Sequence, residues 1–336
     1  QPRQHWIDTM RAAGVPVGAI RTIPEAYTSA EAKTRGIVGR IPHETLGDVP
    51  DVRSPLRLYG TPLGEAVGAP ELNQHGPAIE KEWLASPVPA APAATSVRDI
   101  PHPLAGLKVL DFTRVIAGPH CAMTLGDLGA DVLKIEHPET GDDARGYAGP
   151  RTGGEGAFYL AYNRNKRSLA LDLAKPEGQA LARDLAAKAD VVLENFSAGV
   201  MKKFGLDYES LKAVNPSAYG RTGPFKARAG YDPVAQAESG FMSITGRPDG
   251  EPTRTGIPMI DVTTGLGAAQ ATLAALFHRS RTGEGQYVDV ALFDTACAMS
   301  FHFGMAYLID GKTPMRWGNG SPAANPVGVY EASDGP

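Results

Sequence analysis

A carboxylate in unusual local company is the first candidate for chemistry. Asp261 sits in Gly256-Ile-Pro-Met-Ile-Asp-Val-Thr-Thr-Gly265, after an apolar run and directly before an Ala- and Leu-rich helix expected over 263–280. Two readings fit an Asp there. It can be the N-cap, accepting from the first free N–H groups of the helix. The same location also suits a nucleophile, kept ionised by the helix dipole and left accessible by small neighbours. Asp232, in Gly230-Tyr-Asp-Pro233, reads as a turn residue before proline or as a second catalytic acid. Asn195-Phe196 follows a strand end, where open α/β sheets place ligands. Asn163-Arg-Asn-Lys-Arg-Ser168 gathers three cations, as a solvated turn or as a phosphate contact. His120, His137 and His278 are scattered and read as structural or surface groups, and Cys121, beside Ala122 and Met123, reads as core. No GxGxxG opens a helix after the first strand, and GxxxxGK(S/T), HExxH and GxSxG are absent. Dinucleotide, nucleotide-triphosphate, zinc-protease and α/β-hydrolase chemistries therefore have no support. Arg281-Thr-Gly-Glu-Gly-Gln286 reads as a helix C-terminal turn entering a strand.

The elements that must position these residues alternate. Short apolar stretches at 108–112, 131–136, 168–172, 190–194 and 286–291 read as strands. Helices are expected over 121–128, 176–189, 263–280 and 293–308, with a turn at Gly118-Pro119. Strands alternating with helices imply βαβ units, a parallel sheet and helices on both faces. Residues 84–102 hold Ser86-Pro-Val-Pro-Ala-Ala-Pro-Ala-Ala94 and read as a semi-rigid linker, because Pro at this density keeps the chain extended. Before it, 6–13 reads as the last two turns of an amphipathic helix, with short strands at 17–20, 37–41 and 56–59 and a helix opening near Thr22.

Composition bounds the class. The 336 residues are 42% apolar and 21% charged, which excludes wholesale disorder. The net charge of −4 offers no electrostatic footprint for nucleic acid or an anionic membrane. No apolar run was expected to approach the roughly 18 residues needed to span a bilayer. Two cysteines make no disulfide framework, and no Cys/His cluster suggests a metal. The expectation is a soluble, cytoplasmic globular protein.

Taken in order, several blocks resemble a known family. Pro103-Leu-Ala-Gly-Leu-Lys-Val-Leu-Asp-Phe-Thr-Arg-Val-Ile-Ala-Gly-Pro119 is similar to the amino-terminal signature of the class III CoA-transferases, which include formyl-CoA and carnitine CoA-transferases and the α-methylacyl-CoA racemases. Gly129–Glu136, Asn165–Ser168, Asp190–Phe196, Gly230–Pro233, Gly256–Gly265 and His278–Gln286 follow in family order. The resemblance implies an α/β fold: a Rossmann-like parallel-sheet large domain with portions of a small α+β domain, in an architecture of interlocked rings. It implies that Asp261 is the nucleophile, and that coenzyme A lies against Ile116, Ala117, His137, Leu171, Asn195, Phe196, Lys203, Phe204 and Arg228. His137 stands where Arg is common, with less positive charge at neutral pH. The implied substrates are an acyl-CoA and a carboxylic acid, with succinyl-CoA as a donor suggested by Gly240–Gly246, and with no metal or redox cofactor. The racemase alternative pairs its aspartate with a histidine where this chain has Tyr231, a phenol poorly matched to proton transfer at neutral pH. A non-catalytic acyl-CoA-binding unit is a further alternative.

Residues 1–76 also resemble the family, but its carboxyl-terminal end. The expected organisation is therefore a C-terminal segment of one unit over 1–83, a linker over 84–102, and the N-terminal large domain of a unit over 103–336. This order fits a piece of a tandem fusion or a permuted chain. The expected partner is a second such unit in the same chain or a homodimer mate.

Overall fold

The computed structural model describes residues 1–87, 100–211, 214–217, 230–324 and 326–335. Helix α1 (Arg3–Ala12) is stopped by Gly14 in the left-handed region. Thr22 starts α2 (Ile23–Tyr27) with a capping box, its hydroxyl accepting from the Glu25 amide while the Glu25 carboxylate accepts from the Thr22 amide. Ser29 caps α3 (Ala30–Arg35). The strand expected near 37–41 is β1 (Val38–His43), paired antiparallel with β2 (Gly47–Val52), whose Pro50 and two acids had hidden it. Residues 17–20 and 56–59, expected as strands, are irregular; neither pairs with a neighbouring strand. Helix α4 (Gly76–Leu84) follows.

The second part runs β3 (Lys108–Asp111), α5 (Ala117–Asp127), β4 (Asp131–Glu136), the hairpin β5 (Arg151–Thr152) and β6 (Glu155–Gly156), α6 (Ala157–Asn163), β7 (Lys166–Ala170), α7 (Pro176–Ala186) and β8 (Val191–Leu193). It continues through α8 (Val200–Lys203), α9 (Tyr208–Leu211), β9 (Val214–Ser217), α10 (Asp232–Glu238), α11 (Met259–Thr282), β10 (Val288–Ala291), α12 (Leu292–Met299) and α13 (Phe301–Asp310). Six strands form one parallel sheet in the order β10-β9-β8-β3-β4-β7. Read from β7, that is the doubly wound order in which the winding reverses between the first strand, β3, and the fourth, β8.

Adjacent residues of each buried strand enter opposite layers. Leu110, Leu133 and Val192 pack under α4 and α7 through Ile79, Trp83, Ala182 and Leu185. Val109, Val132 and Leu193 pack under α5 and α11 through Cys121, Leu125, Ala268 and Ala269. Each fully buried aliphatic side chain contributes roughly 1.5–3 kcal/mol, so two apolar faces per strand explain the near-continuous hydrophobic strands.

Residues 67–84 cover the open edge of this sheet. Val67 and Asn165 exchange hydrogen bonds at 2.7 and 2.9 Å, His75 donates its amide to the Ser168 carbonyl, and the Ala170 amide donates to Asn73. Trp83 donates its indole N–H to Asp131 at 3.0 Å. An uncovered edge strand is a template for aggregation, and here a segment distant in sequence pairs with it. Of the expected linker, Leu84 ends α4, and 88–99 lie outside the described residues.

Several boundaries shift. α5 begins at Ala117, so Gly118-Pro119 lies inside its first turn rather than before it; Pro is tolerated there because an N-terminal N–H has no helical partner. α11 begins at Met259, placing Asp261 within the helix. The helix expected over 293–308 is two helices at 72°, meeting at Ser300 where Phe301 has a positive φ. α11, at 24 residues, is long and apolar enough by composition to cross a bilayer, contrary to the expectation from sequence. Here it is a core helix, with Ala268, Ala269 and Thr272 buried against α5 and the sheet.

Candidate active site

Because the sheet is parallel, the loops that follow its strands share one rim. After β3, residues 112–116 lead into α5 along a path set by buried polar groups. Asp111 accepts from the amide and hydroxyl of Thr113 at 2.9 and 2.5 Å, and Lys134 donates to the Thr113 carbonyl at 2.7 Å. Asn195, at the end of β8, clamps Arg114 from both sides: its carbonyl oxygen accepts from the Arg114 amide and its NH2 donates to the Arg114 carbonyl. Val115 then takes a φ of 75°, and its amide donates to Asp142 at 3.1 Å. A β-branched residue in the left-handed region is strained, and this bracing holds it. The strained turn delivers Ile116 as N-cap and Ala117 as first residue of α5.

The bracing groups belong to a buried ionic network. Lys134 pairs with Asp142 at 2.8 Å, Lys166 with Asp111 at 3.0 Å, and Arg145 with Glu136 at 2.8 Å. Burial alone would raise Asp142 and Glu136, but Lys134 and Arg145 outweigh it and hold both below the usual carboxylate range. Burial draws Lys166 down to about 8, with Asp111 opposing it.

Asp261 is different. It is 8% exposed, and among the described residues its carboxylate has no hydrogen-bond partner and no cation. It is not the N-cap, which is Pro258. The capping comes from Asp232, 2% exposed, whose Oδ2 accepts from the amides of Ile260 at 2.7 Å and Asp261 at 3.0 Å. Asp232 is thus not a turn residue; it is the first residue of α10. Burial, and secondarily the Asp232 charge, push the Asp261 carboxyl up to about 7.

Close helix packing joins α11 to the start of α5. A Cβ on Gly265, one turn further along α11, would meet the Ala117 carbonyl at 2.6 Å, so only glycine permits this approach of α11 to α5. Gly118 is packed as tightly against Thr113. His120, on the first turn of α5, reaches the Val262 carbonyl at 3.2 Å and is depressed by burial. An aromatic row continues from it, His120–Tyr162–Phe158–Tyr147, with centroids 5.9, 5.6 and 5.0 Å apart. Burial raises Tyr162 and Tyr147, and the Asp261 charge adds to both.

Of the other sequence-predicted residues, those that follow strands lie on the same rim. His137 follows β4, is exposed, and its ring accepts from the Glu139 and Thr140 amides. Leu171 follows β7 and packs on the core, as do Phe196 after β8 and Phe204 after α8. Lys203 is exposed at the end of α8, and Arg228 lies outside the described residues. The 163–168 cations are not free for phosphate. Arg164 binds Asp127 and Asp51, Lys166 binds Asp111, and Arg167 binds Asp131 and Glu82, because the charges of this run face partners distant in sequence. Sequence reasoning missed Arg114, whose guanidinium stacks over Phe196 at 5.0 Å and pairs with the exposed Asp143 at 3.5 Å. Its only sequence signal is its place inside the Asp-Phe-Thr-Arg block. Arg114 and Phe196 flank the crevice between β3 and β8, where doubly wound sheets bind ligands. Among the described residues no group of three His, Cys, Asp or Glu side chains could hold a metal ion. A cavity of about 590 Å3 lies apart from this rim, lined by Arg53, Arg57, Asp127 and Arg164.

Comparison with known proteins agrees with the fold. The model of CoA-transferase family III matches residues 1–76 and 104–336, and the chain belongs to that family. Succinate–glutarate CoA-transferase of Agrobacterium fabrum is 46% identical over 246 residues, covering 69% of this chain and 62% of its own length. Human succinyl-CoA:glutarate CoA-transferase is 42% identical over 240 residues, covering 69% of this chain and 55% of its own. A crystal structure of a CaiB/BaiF family protein from Brucella suis superposes with a TM-score of 0.66 at 45% identity, over 70% of this chain and 65% of that one. The chain therefore spans about three fifths of the length of the curated relatives it matches.

Proposed function

We propose that this chain carries the nucleophilic part of a CoA-transferase that moves coenzyme A from an acyl-CoA thioester to a carboxylic acid. The observation that carries this reading is the buried Asp261 carboxylate, which has no partner among the described residues and stands on the helix whose Gly265 packs against Ala117 at the start of α5. A carboxylate oxygen of Asp261 attacks the thioester carbonyl, the C–S bond breaks, and an acyl–aspartyl anhydride and CoA thiolate result. The thiolate attacks the aspartyl carbonyl of the anhydride, releasing the donor acid and leaving an aspartyl-CoA thioester. The acceptor carboxylate attacks that thioester to form a second anhydride. The returning thiolate then takes the acceptor acyl group and regenerates Asp261. Splitting the exchange into covalent steps while keeping water from the anhydride is what a buried carboxyl nucleophile offers.

Names of the relatives include succinate, glutarate and mesaconate, which supports dicarboxylic acids as the substrate class. The switch-point crevice with Arg114 and Phe196 is suited to the nucleotide end of coenzyme A, a cation for phosphate beside an aromatic face for adenine. Tyr231, 62% exposed, favours transfer over α-carbon epimerisation, because no imidazole stands at that position. Incubation with succinyl-CoA followed by hydroxylamine and peptide mass spectrometry is expected to yield a hydroxamate at Asp261; an unmodified Asp261 overturns the mechanism. Deuterium incorporation at the α-carbon of a 2-methylacyl-CoA would instead establish epimerisation.

In the same reading, residues 1–83 are the end of one transferase unit and 103–336 the beginning of the next, joined by 84–102. A second unit in the same chain or a homodimer mate completes the rings. Native mass spectrometry tests the arrangement, and a dimer of fused chains would count against the intramolecular form.

A further inference from the structure

We propose that Asp232 is the positioning residue of the nucleophile: it caps α11 in place of Asp261 and thereby leaves the Asp261 carboxylate free to react. The proposal rests on the reading of Asp261 as the nucleophile. An acid in the first turn of a helix ordinarily turns back on the free N–H groups there. In α11 those groups are the amides of Ile260 and Asp261, and both already donate to Asp232 Oδ2, at 2.7 and 3.0 Å. Pro258, at the N-cap, supplies no side-chain acceptor. Asp232 therefore does across two helices what an N-cap side chain does within one.

Its own orientation is fixed. Gln236, one turn along α10 and fully buried, donates to Asp232 Oδ1 at 2.5 Å. The Gln236 carbonyl oxygen accepts from the amide of Thr255 at 3.0 Å, and the Thr255 hydroxyl donates to the Ile257 carbonyl at 2.8 Å. Asp232, Gln236 and Thr255 thus tie α10 to the segment entering α11, and aim one carboxylate oxygen at the backbone of the nucleophile. The arrangement costs charge repulsion between two buried acids, and among the described residues neither pairs with a cation. A purely structural cap would be served as well by Ser, Thr or Asn; an aspartate holds Asp261 by its backbone while opposing its ionisation. Among the described residues, Tyr147 and Tyr162 also feel the Asp261 charge, and His120 is turned to the Val262 carbonyl.

The test uses the whole chain with D232A, D232N and Q236A. Hydrogen exchange at 259–263 needs no activity: D232A is expected to speed exchange there about tenfold, whereas D232N, still offering an oxygen, retains most of the protection. Asp261 labelling by succinyl-CoA and hydroxylamine is expected to fall at least about tenfold in D232A at every pH, since small misplacements of a reacting group cost that much. In D232N the labelling profile moves to lower pH, because the neighbouring anion is gone and Asp261 ionises earlier; Q236A gives a smaller loss without that shift. Wild-type exchange at 259–263 together with wild-type labelling in D232A overturns the proposal. If D232A does not fold, D232N decides, and an unmoved pH profile overturns it. An unlabelled wild type overturns the nucleophile reading instead, and is told apart because exchange at 259–263 still responds to Asp232.

Discussion

Two clusters of buried acids lie along the same rim of the sheet, and they are built on opposite plans. Asp111, Glu136 and Asp142 each have a cation, Lys166, Arg145 and Lys134, and further hydrogen bonds fill their remaining oxygens. Asp232 and Asp261 have no cation among the described residues, and only Asp232 has hydrogen bonds. The first cluster braces backbone: through Thr113 and Val115 it holds the turn that opens α5. The second leaves a carboxylate in a poorly solvating pocket. Burial is common to both, so burial alone does not mark a reactive acid. What sets Asp261 apart is a carboxyl without a partner among the described residues.

The difference predicts opposite responses. Asp261→Asn is expected to lower CoA transfer by about a thousandfold or more, as loss of a covalent nucleophile does. It is also expected to raise thermal stability. A carboxyl raised to about 7 in the folded chain, against about 3.9 for an ordinary aspartate, binds more protons folded than unfolded between those pH values. Its contribution to stability therefore falls as pH rises from about 4 to about 7, and removing it stabilises the chain by about 1–3 kcal/mol at pH 8 and not at pH 4. Thermal melts at the two pH values check this; a pH-independent change would break the comparison.

Arg145→Met should do the reverse, destabilising by about 3–5 kcal/mol in urea because Glu136 is left buried and unpaired. Glu136 and Asp142 are depressed, so their contribution is present above about pH 4 and is lost as pH falls below it. Gly265→Ala tests the joint between the clusters. The added methyl must displace the Ala117 carbonyl, which should cost about 1–3 kcal/mol and at least about tenfold in transfer, measured by urea unfolding and by labelling of Asp261. The smallest effect is expected from Arg114→Ala: stability within about 0.5 kcal/mol, with CoA affinity lowered about tenfold by isothermal titration. Unchanged affinity would remove Arg114 from the crevice.

Much of the framework was legible beforehand. The strands at 108–111, 131–136 and 191–193 are bounded almost as expected, because both of their faces are apolar and turn residues flank them. The alternation with helices implied the parallel sheet, and a strand-end position for Asn195-Phe196 followed from it. Less was legible wherever a residue's role depends on a partner far along the chain. β2 was hidden because its sequence is polar and its strand character comes from β1. The three cations of 163–168 read as a solvated turn or a phosphate contact, and neither reading could see their carboxylates at 51, 82, 111, 127 and 131.

Asp261 shows where the division falls. Local sequence determined that a carboxylate would stand at the start of a long apolar helix, and that glycine would follow one turn later. These are consequences of periodicity and residue type, both short-range. Whether that carboxylate caps its helix or is left free was decided by Asp232, 29 residues away and on another helix. A helix has only a few free N–H groups at its start, so once Asp232 occupies them the acid inside the first turn has nothing left to cap. Which side chain reaches them first is a property of how α10 and α11 pack.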